Sequence, residues 1–235
     1  MTRVSEARDD AAAHDRRAVV RDSLGVGIAT GVYGASFGAL GVTSGLTVLQ
    51  TCAMSLLVFT GATQFAFIGV LASGGGPMSG ALTGLLLGTR NTLYGLRLAP
   101  LLKLGRARRL ASAQLVIDES TAMAVTRPAT ELVRTGFYWT GLSVFVLWNL
   151  FTFLGAVGGS TIGDPRDFGL DAAVGAAFLA LLWPRLRDGR NVGVGLAAAA
   201  VALLLVPVTA AGVPVLAAGG VALLAGVLLR TRSEP

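Results

Sequence analysis

Charge is what this chain lacks. From Ser23 to Thr89, 67 consecutive residues include no Asp, Glu, Lys or Arg, and across all 235 residues the charged share is 14%. Soluble domains carry roughly a quarter of their residues as charges, placed to give each element a wet face. A stretch this long without one excludes an ordinary soluble fold and fits lipid, where a charge at the bilayer centre is expensive. Histidine and cysteine are nearly absent too, with His14 and Cys52 as single examples. One cysteine excludes a disulfide framework, and Cys52, inside an apolar run, reads as a small buried apolar residue. Lys103 is the sole lysine, so the net charge of +6 rests on arginines at the edges of apolar runs. That distribution suits membrane orientation better than nucleic-acid binding, which needs a basic face with stacking aromatics.

What is present is apolar surface and glycine: 53% hydrophobic residues and 32 glycines. The chain is expected to be an all-α integral membrane protein with about six to seven membrane segments, multi-pass in the cell membrane. A polar N-terminal tail over 1–22 precedes a membrane domain over 23–232. The tail lacks the short apolar core and cleavage site of a secretory signal.

The first span covers about Leu24–Leu40. Its pairs Gly27 with Gly31, Gly34 with Gly38 and Gly41 with Gly45 have the spacing that lets helix backbones approach closely in lipid. Gly34-Ala35-Ser36-Phe37-Gly38 also spells a nucleophile-elbow pattern. The strand-to-helix turn that such an elbow needs is missing, and the lone histidine lies in the tail.

Thr47–Ala72 is long enough for a tilted span. Gly61 near its middle, flanked by Thr60, Thr63 and Gln64, leaves two readings: one helix with polar groups facing neighbours, or two half-helices meeting at Gly61. Broken helices expose backbone donors and acceptors at mid-depth, where transporter sites are commonly built.

Ser73-Gly74-Gly75-Gly76-Pro77 is a turn, and Met78–Leu102 forms the next span. Arg90 lies twelve residues into it, about 18 Å along a helix and past the midplane. Arg97 is close enough to the end to reach the interface. The loop Lys103–Arg109 carries four positive charges and no negative one, so it faces the cytoplasm by the positive-inside rule.

Leu110–Thr126 is apolar except for Asp118-Glu119-Ser120-Thr121. It is either a surface helix with a wet face or a segment whose acids face a cavity. Thr135–Gly163 is charge-free, Asp164–Asp167 is a tight loop, and Phe168–Trp183 is a shorter span with Asp171 near its start. Asn191–Leu229, divided at Pro207, Gly212 and Pro214, reads as two short spans. Basic groups recur at Arg185, Arg187 and Arg190 and again at Arg230 and Arg232.

Three full crossings from a cytoplasmic tail would place Lys103–Arg109 outside. The conflict disappears if residues 47–72 enter and return without crossing, or if the tail lies outside; the break at Gly61 favours the first. A faint echo of Phe37-Gly38 and Gly45-Leu46 in Phe153-Leu154-Gly155 and Phe168-Gly169-Leu170-Asp171 is compatible with two related halves.

Several of these stretches together resemble the AzlC family, the large subunit of two-component branched-chain amino-acid exporters. They are Phe37-Gly38, Met54-Ser55 running into Phe59-Thr60-Gly61-Ala62-Thr63-Gln64-Phe65, Arg90 followed by Tyr94-Gly95 and Leu98-Ala99-Pro100, and Asp118-Glu119-Ser120. Phe168-Gly169-Leu170-Asp171 with Phe178-Leu179 also fits. The sequence departs from the family pattern at Gly88 and Asn91, where Asn and His are expected.

The resemblance implies a non-enzymatic secondary transporter that exports hydrophobic amino acids with a small AzlD-type membrane subunit. No cofactor, metal or nucleic-acid partner is implied. A substrate site would draw on Ser55, Gly61, Ala62, Gln64, Phe65, Arg90, Asn91 and Tyr94, with Arg90 taking the substrate carboxylate through a bidentate fork. Asp118 and Glu119 would bind the ammonium or carry a coupling proton. The bland reading of Arg90 is an ion pair with one of these acids that only holds helices together. The rival functions are a channel or facilitator for small neutral solutes, an intramembrane hydrolase using Ser36, and an accessory subunit without a substrate path.

Overall fold

The computed structural model describes the backbone of residues 2–161, 179, 182–183, 186–209 and 212–230, and side chains within those ranges from residue 13 to 228. Among these residues every regular element is an α-helix: α1 (Thr2–Thr43), α2 (Val48–Leu57), α3 (Ala62–Ala72), α4 (Pro77–Leu102), α5 (Arg106–Ala113), α6 (Asp118–Val125), α7 (Thr130–Thr161), α8 (Gly189–Leu205) and α9 (Val213–Arg230). The expected loop Asp164–Asp167, Asp171 and nearly all of the Phe168–Trp183 span lie outside the described residues. So do the side chains of Arg230 and Arg232.

Helix α1 starts some twenty residues before the expected span. Residues 2–22 contain neither Gly nor Pro and are rich in Ala and Arg, strong helix formers that carry the apolar helix into the polar tail. Two helices, Ala13–Thr43 within α1 and Thr130–Thr161, are long and apolar enough to cross a membrane; α2, α3, α8 and α9 are shorter apolar helices. The continuous helix through Ser36 removes the strand-turn-helix geometry of a nucleophile elbow.

The Thr47–Ala72 run is two helices. Thr47 caps α2 with a reciprocal pair: its hydroxyl accepts from the Gln50 amide at 3.2 Å, and the Gln50 side-chain oxygen accepts from the Thr47 amide at 2.8 Å. Helix α2 stops at Leu57, and Gly61 then turns at φ +56°, ψ −83° to start α3. Only glycine enters that region without a Cβ penalty. Farther on, Pro207 and Gly212 separate α8 from α9, and Pro214 takes a first-turn position in α9, where its missing N–H costs no hydrogen bond.

The chain divides into two compact units, one of residues 1–42, 46–60 and 88–161, the other of 43–45, 61–87 and 162–235. In the first, α1 and α7 run parallel with their backbones nearly touching. A Cβ at Gly27 would meet Ser143, at Gly31 Leu147, at Gly34 Trp148 and at Gly38 Thr152; from the other side, Gly155 faces Ala35 and Gly159 faces Ala39. Partner numbers rise together, which fixes the parallel sense.

Helix α2 runs the other way. Thr51 meets Gly41, Ser55 bonds Thr152, and the Phe59 ring stands edge-on to Phe145 at 5.0 Å. The last turns of α4 also run against α7, since Arg134 near the start of α7 donates to the carbonyls of Leu102 (2.8 Å) and Lys103 (3.1 Å). An apolar cluster of Leu98, Leu102, Leu115, Ala124, Val133 and Phe137 fills this end of the unit.

In the second unit, α3 and the first half of α4 are antiparallel. Gly80 accommodates Phe67 and Gly84 accommodates Thr63, while Gly219 of α9 faces Leu86.

Candidate functional site

The first unit gathers its polar side chains where α4 passes the end of α2 and the start of α6. Arg90 projects from α4 with its side chain 25% exposed, and its guanidinium reaches the Asp118 carboxylate at 2.7 Å. It also donates at 3.3 Å to the carbonyl of Thr60, in the non-helical stretch after α2. One helical turn on, the Tyr94 hydroxyl donates to the other Asp118 oxygen at 2.6 Å. Asn91 donates its amide to the Val116 carbonyl at 3.1 Å. Helix α4 thus presents Arg90, Asn91 and Tyr94, at spacings of one, three and four, to α6 and the turn before it.

That turn has its own lock. The expected Leu110–Thr126 segment is interrupted at Gln114–Ile117. The buried Ser120 hydroxyl donates to the Leu115 carbonyl at 2.5 Å and accepts from the Ile117 amide at 3.2 Å. Within Asp118-Glu119-Ser120, Ser120 therefore shapes the backbone and Asp118 pairs with Arg90.

Helix α6 has eight residues, too few to span a bilayer. Burial pushes the Glu119 carboxyl above the ordinary carboxylate range, with the Asp118 charge adding to the rise; a backbone hydrogen bond and Arg90 act against it. Three atoms of this cluster are buried without a hydrogen-bond partner: Arg90 Nε, Asn91 Oδ1 and Thr60 Oγ1. Most buried polar groups in proteins have partners, so three together mark a place of unused polar capacity.

Of the remaining expected residues, Ser55 belongs to α2 and Gly61, Ala62, Gln64 and Phe65 to the second unit. Ser55 is fully buried in α2 and its hydroxyl donates to Thr152 of α7 at 3.3 Å, a helix-to-helix bond. Gly61, Ala62, Gln64 and Phe65 form the start of α3 in the second unit, where Gln64 is fully buried and Phe65 is 1% exposed. Arg97 is exposed, as its place near the helix end implies. Sequence reasoning did not find the Thr60 carbonyl or the Val116 carbonyl as partners. Thr60 carried a signal, since it precedes the glycine that breaks the helix; Val116 carried none.

The family model described as AzlC protein matches residues 25–162. The chain belongs to the AzlC family. Its relatives include an uncharacterized membrane protein of Archaeoglobus fulgidus, 33% identical over 79% of this chain and 83% of the relative. Another is an uncharacterized membrane protein of Helicobacter pylori strain J99, 27% identical over 74% of this chain and 78% of the relative. The inner membrane protein YgaZ of Escherichia coli is 28% identical over 68% of this chain and 67% of the relative. No solved structure matches the chain. This AzlC-family chain is thus a helical membrane protein, and the family match contains the whole Arg90–Asp118 cluster.

Proposed function

We propose that this AzlC-family chain is a secondary transporter that exports branched-chain, hydrophobic amino acids across the cytoplasmic membrane, working with a small AzlD-type subunit. The observation that carries the reading is the part-exposed Arg90–Asp118 pair, set against the Thr60 carbonyl in the non-helical stretch after α2. An amino acid brings one carboxylate and one ammonium, and the pair offers the complement of both. The substrate carboxylate takes the Arg90 guanidinium in place of Asp118, and Asp118 turns to the ammonium. Tyr94 steadies Asp118 in the resting state. Asn91 Oδ1 and Thr60 Oγ1, buried without partners, accept from the ammonium or from a bridging water. The resident ion pair also answers how a guanidinium is kept deep in the fold between visits: it has a carboxylate of its own.

Helix directions support the topology. Parallel α1 and α7 require the segment between them to return to its starting side. Helix α4 has 26 residues, about 39 Å at the usual rise, and it ends beside Arg134 at the start of α7. It therefore begins on the side where α1 ends, which fits our reading of residues 47–72 as a segment that enters and returns without crossing. With Lys103–Arg109 at the end of α4, the positive-inside rule sets that end at the cytoplasm.

Uptake of labelled leucine into energised inverted vesicles, prepared with and without the small subunit, tests the reading. Expected are accumulation against a gradient, its collapse with a protonophore, and a loss of at least about tenfold for Arg90→Ala and Asp118→Asn, the scale of one charged hydrogen bond. Equilibration that ignores the protonophore would instead identify a facilitator.

Because burial raises Glu119, its proton stays on to a higher pH than in an ordinary glutamate and leaves as pH rises through the shifted value. Export should then fall across that rise, and Glu119→Gln should flatten the profile while leaving counterflow in place.

A further inference from the structure

A groove with an effective volume of about 480 Å³ opens at the basic end of the first unit, lined by Arg16, Arg17, Val20, Arg21, Leu24 and Trp139. It lies outside the Arg90–Asp118 cluster and has no part in the proposed transport cycle. On α1, Arg17 and Arg21 stack one turn apart, beside a second row at four-residue spacing: Arg16, Val20, Leu24, Ile28 and Val32. That second row grades from a guanidinium to bare hydrocarbon, and Leu24, Ile28 and Val32 remain 39%, 58% and 48% exposed. Arg16 and Leu24 are eight residues apart, about 12 Å along the axis. Trp139 of α7, 44% exposed, stands at the junction, the position that indole rings favour between headgroup and acyl layers.

Asp22 offsets part of the charge, lying 3.3 Å from Arg21 and 3.8 Å from Arg127. Arg16 and Arg17 are exposed; no ion pair among the described side chains engages either. A guanidinium has five N–H donors in a fork that matches a phosphate.

We infer that this groove binds one anionic phospholipid of the leaflet on the basic side. Its phosphate sits among Arg16, Arg17 and Arg21, its glycerol region lies against Trp139, and an acyl chain runs down Leu24, Ile28 and Val32. Charge complementarity selects the headgroup, and the exposed apolar row distinguishes a lipid from a free phosphate.

Native mass spectrometry of the full chain, purified in neutral detergent and titrated with phosphatidylglycerol or phosphatidylcholine of equal chain length, tests this. The expected result is one retained phosphatidylglycerol, held more tightly than phosphatidylcholine by about fivefold per engaged arginine. The triple variant R16Q/R17Q/R21Q should erase the preference. The control R106Q/R108Q/R109Q removes equal charge from α5 and should keep it. In a parallel arm, a dibromo-acyl phosphatidylglycerol should quench Trp139 fluorescence, with Trp139→Phe as the reference. Equal loss in both triple variants would reduce the effect to general surface charge and overturn the proposal. Displacement of the lipid by millimolar inorganic phosphate would overturn it as well, since the acyl row would then contribute nothing. Should leucine counterflow fail while the lipid preference holds, the groove stands and the transport reading falls.

Discussion

Two contacts within the first unit, α1 with α7 and α4 with α6, are built in opposite ways. Along α1 and α7 the backbones approach until a single Cβ has no room: one at Gly38 would stand 2.7 Å from the Ala156 amide nitrogen, with the Thr152 carbonyl closer still. Where α4 meets α6 and Thr60, the contact runs through the side chains of Arg90, Asn91 and Tyr94, and three polar atoms there are buried without a partner. The first contact has no slack and no charge, so it can serve only as a fixed reference. The second has both, and an incoming polar molecule can rearrange it. Backbone-to-backbone packing and a part-exposed ion pair are divided between separate helix pairs.

The comparison breaks most sharply at the glycines. Gly38→Leu should abolish a monodisperse peak in fluorescence-detected size exclusion, because overpacking costs about 1–3 kcal/mol when neighbours can move and here the neighbours are backbone. Gly158→Leu, at a position with nothing within 4 Å, should leave the peak unchanged.

Next in size is the ion pair. Arg90→Gln and Asp118→Asn should each lower thermal stability by about 1–2 kcal/mol, less than a fully buried pair because both side chains keep solvent contact. The double variant should lose less than the sum. A strictly additive result would mean that the pair does not act as a unit.

Tyr94→Phe removes one hydrogen bond to Asp118 and should cost about 0.5–1.5 kcal/mol, while weakening leucine counterflow less than Asp118→Asn does. The smallest effect belongs to Ser55→Ala, about 0.6 kcal/mol for a bond between helices in lipid, with counterflow unchanged. A large transport defect there would move the site toward α2.

Much of this was legible from composition and punctuation. The absence of charge declared the membrane, Gly61 announced a break, and Pro207 with Pro214 divided the last apolar run, because each acts through its own backbone geometry. Arg90 and Asp118 stood out as charges in apolar surroundings, and the structure pairs them.

What escaped were facts set by partners far along the chain. The parallel pairing of Gly27 with Ser143 and Gly38 with Thr152 depends on α7, and glycine spacing names a packing face without naming what packs on it. The break at Gln114–Ile117 has no glycine or proline to announce it. It is held by the Ser120 hydroxyl, whose letter reads equally well as a helix residue.

The parallel pairing also sets an order of events on the ribosome. The serine that closes on Gly27 is made more than a hundred residues after it, a delay on the order of ten seconds at the usual rate of synthesis. Throughout that interval the glycines at 27, 31, 34 and 38 lack the α7 surface that closes on them. Whatever shields them, acyl chains or a translocation chaperone, must let go when the seventh helix arrives.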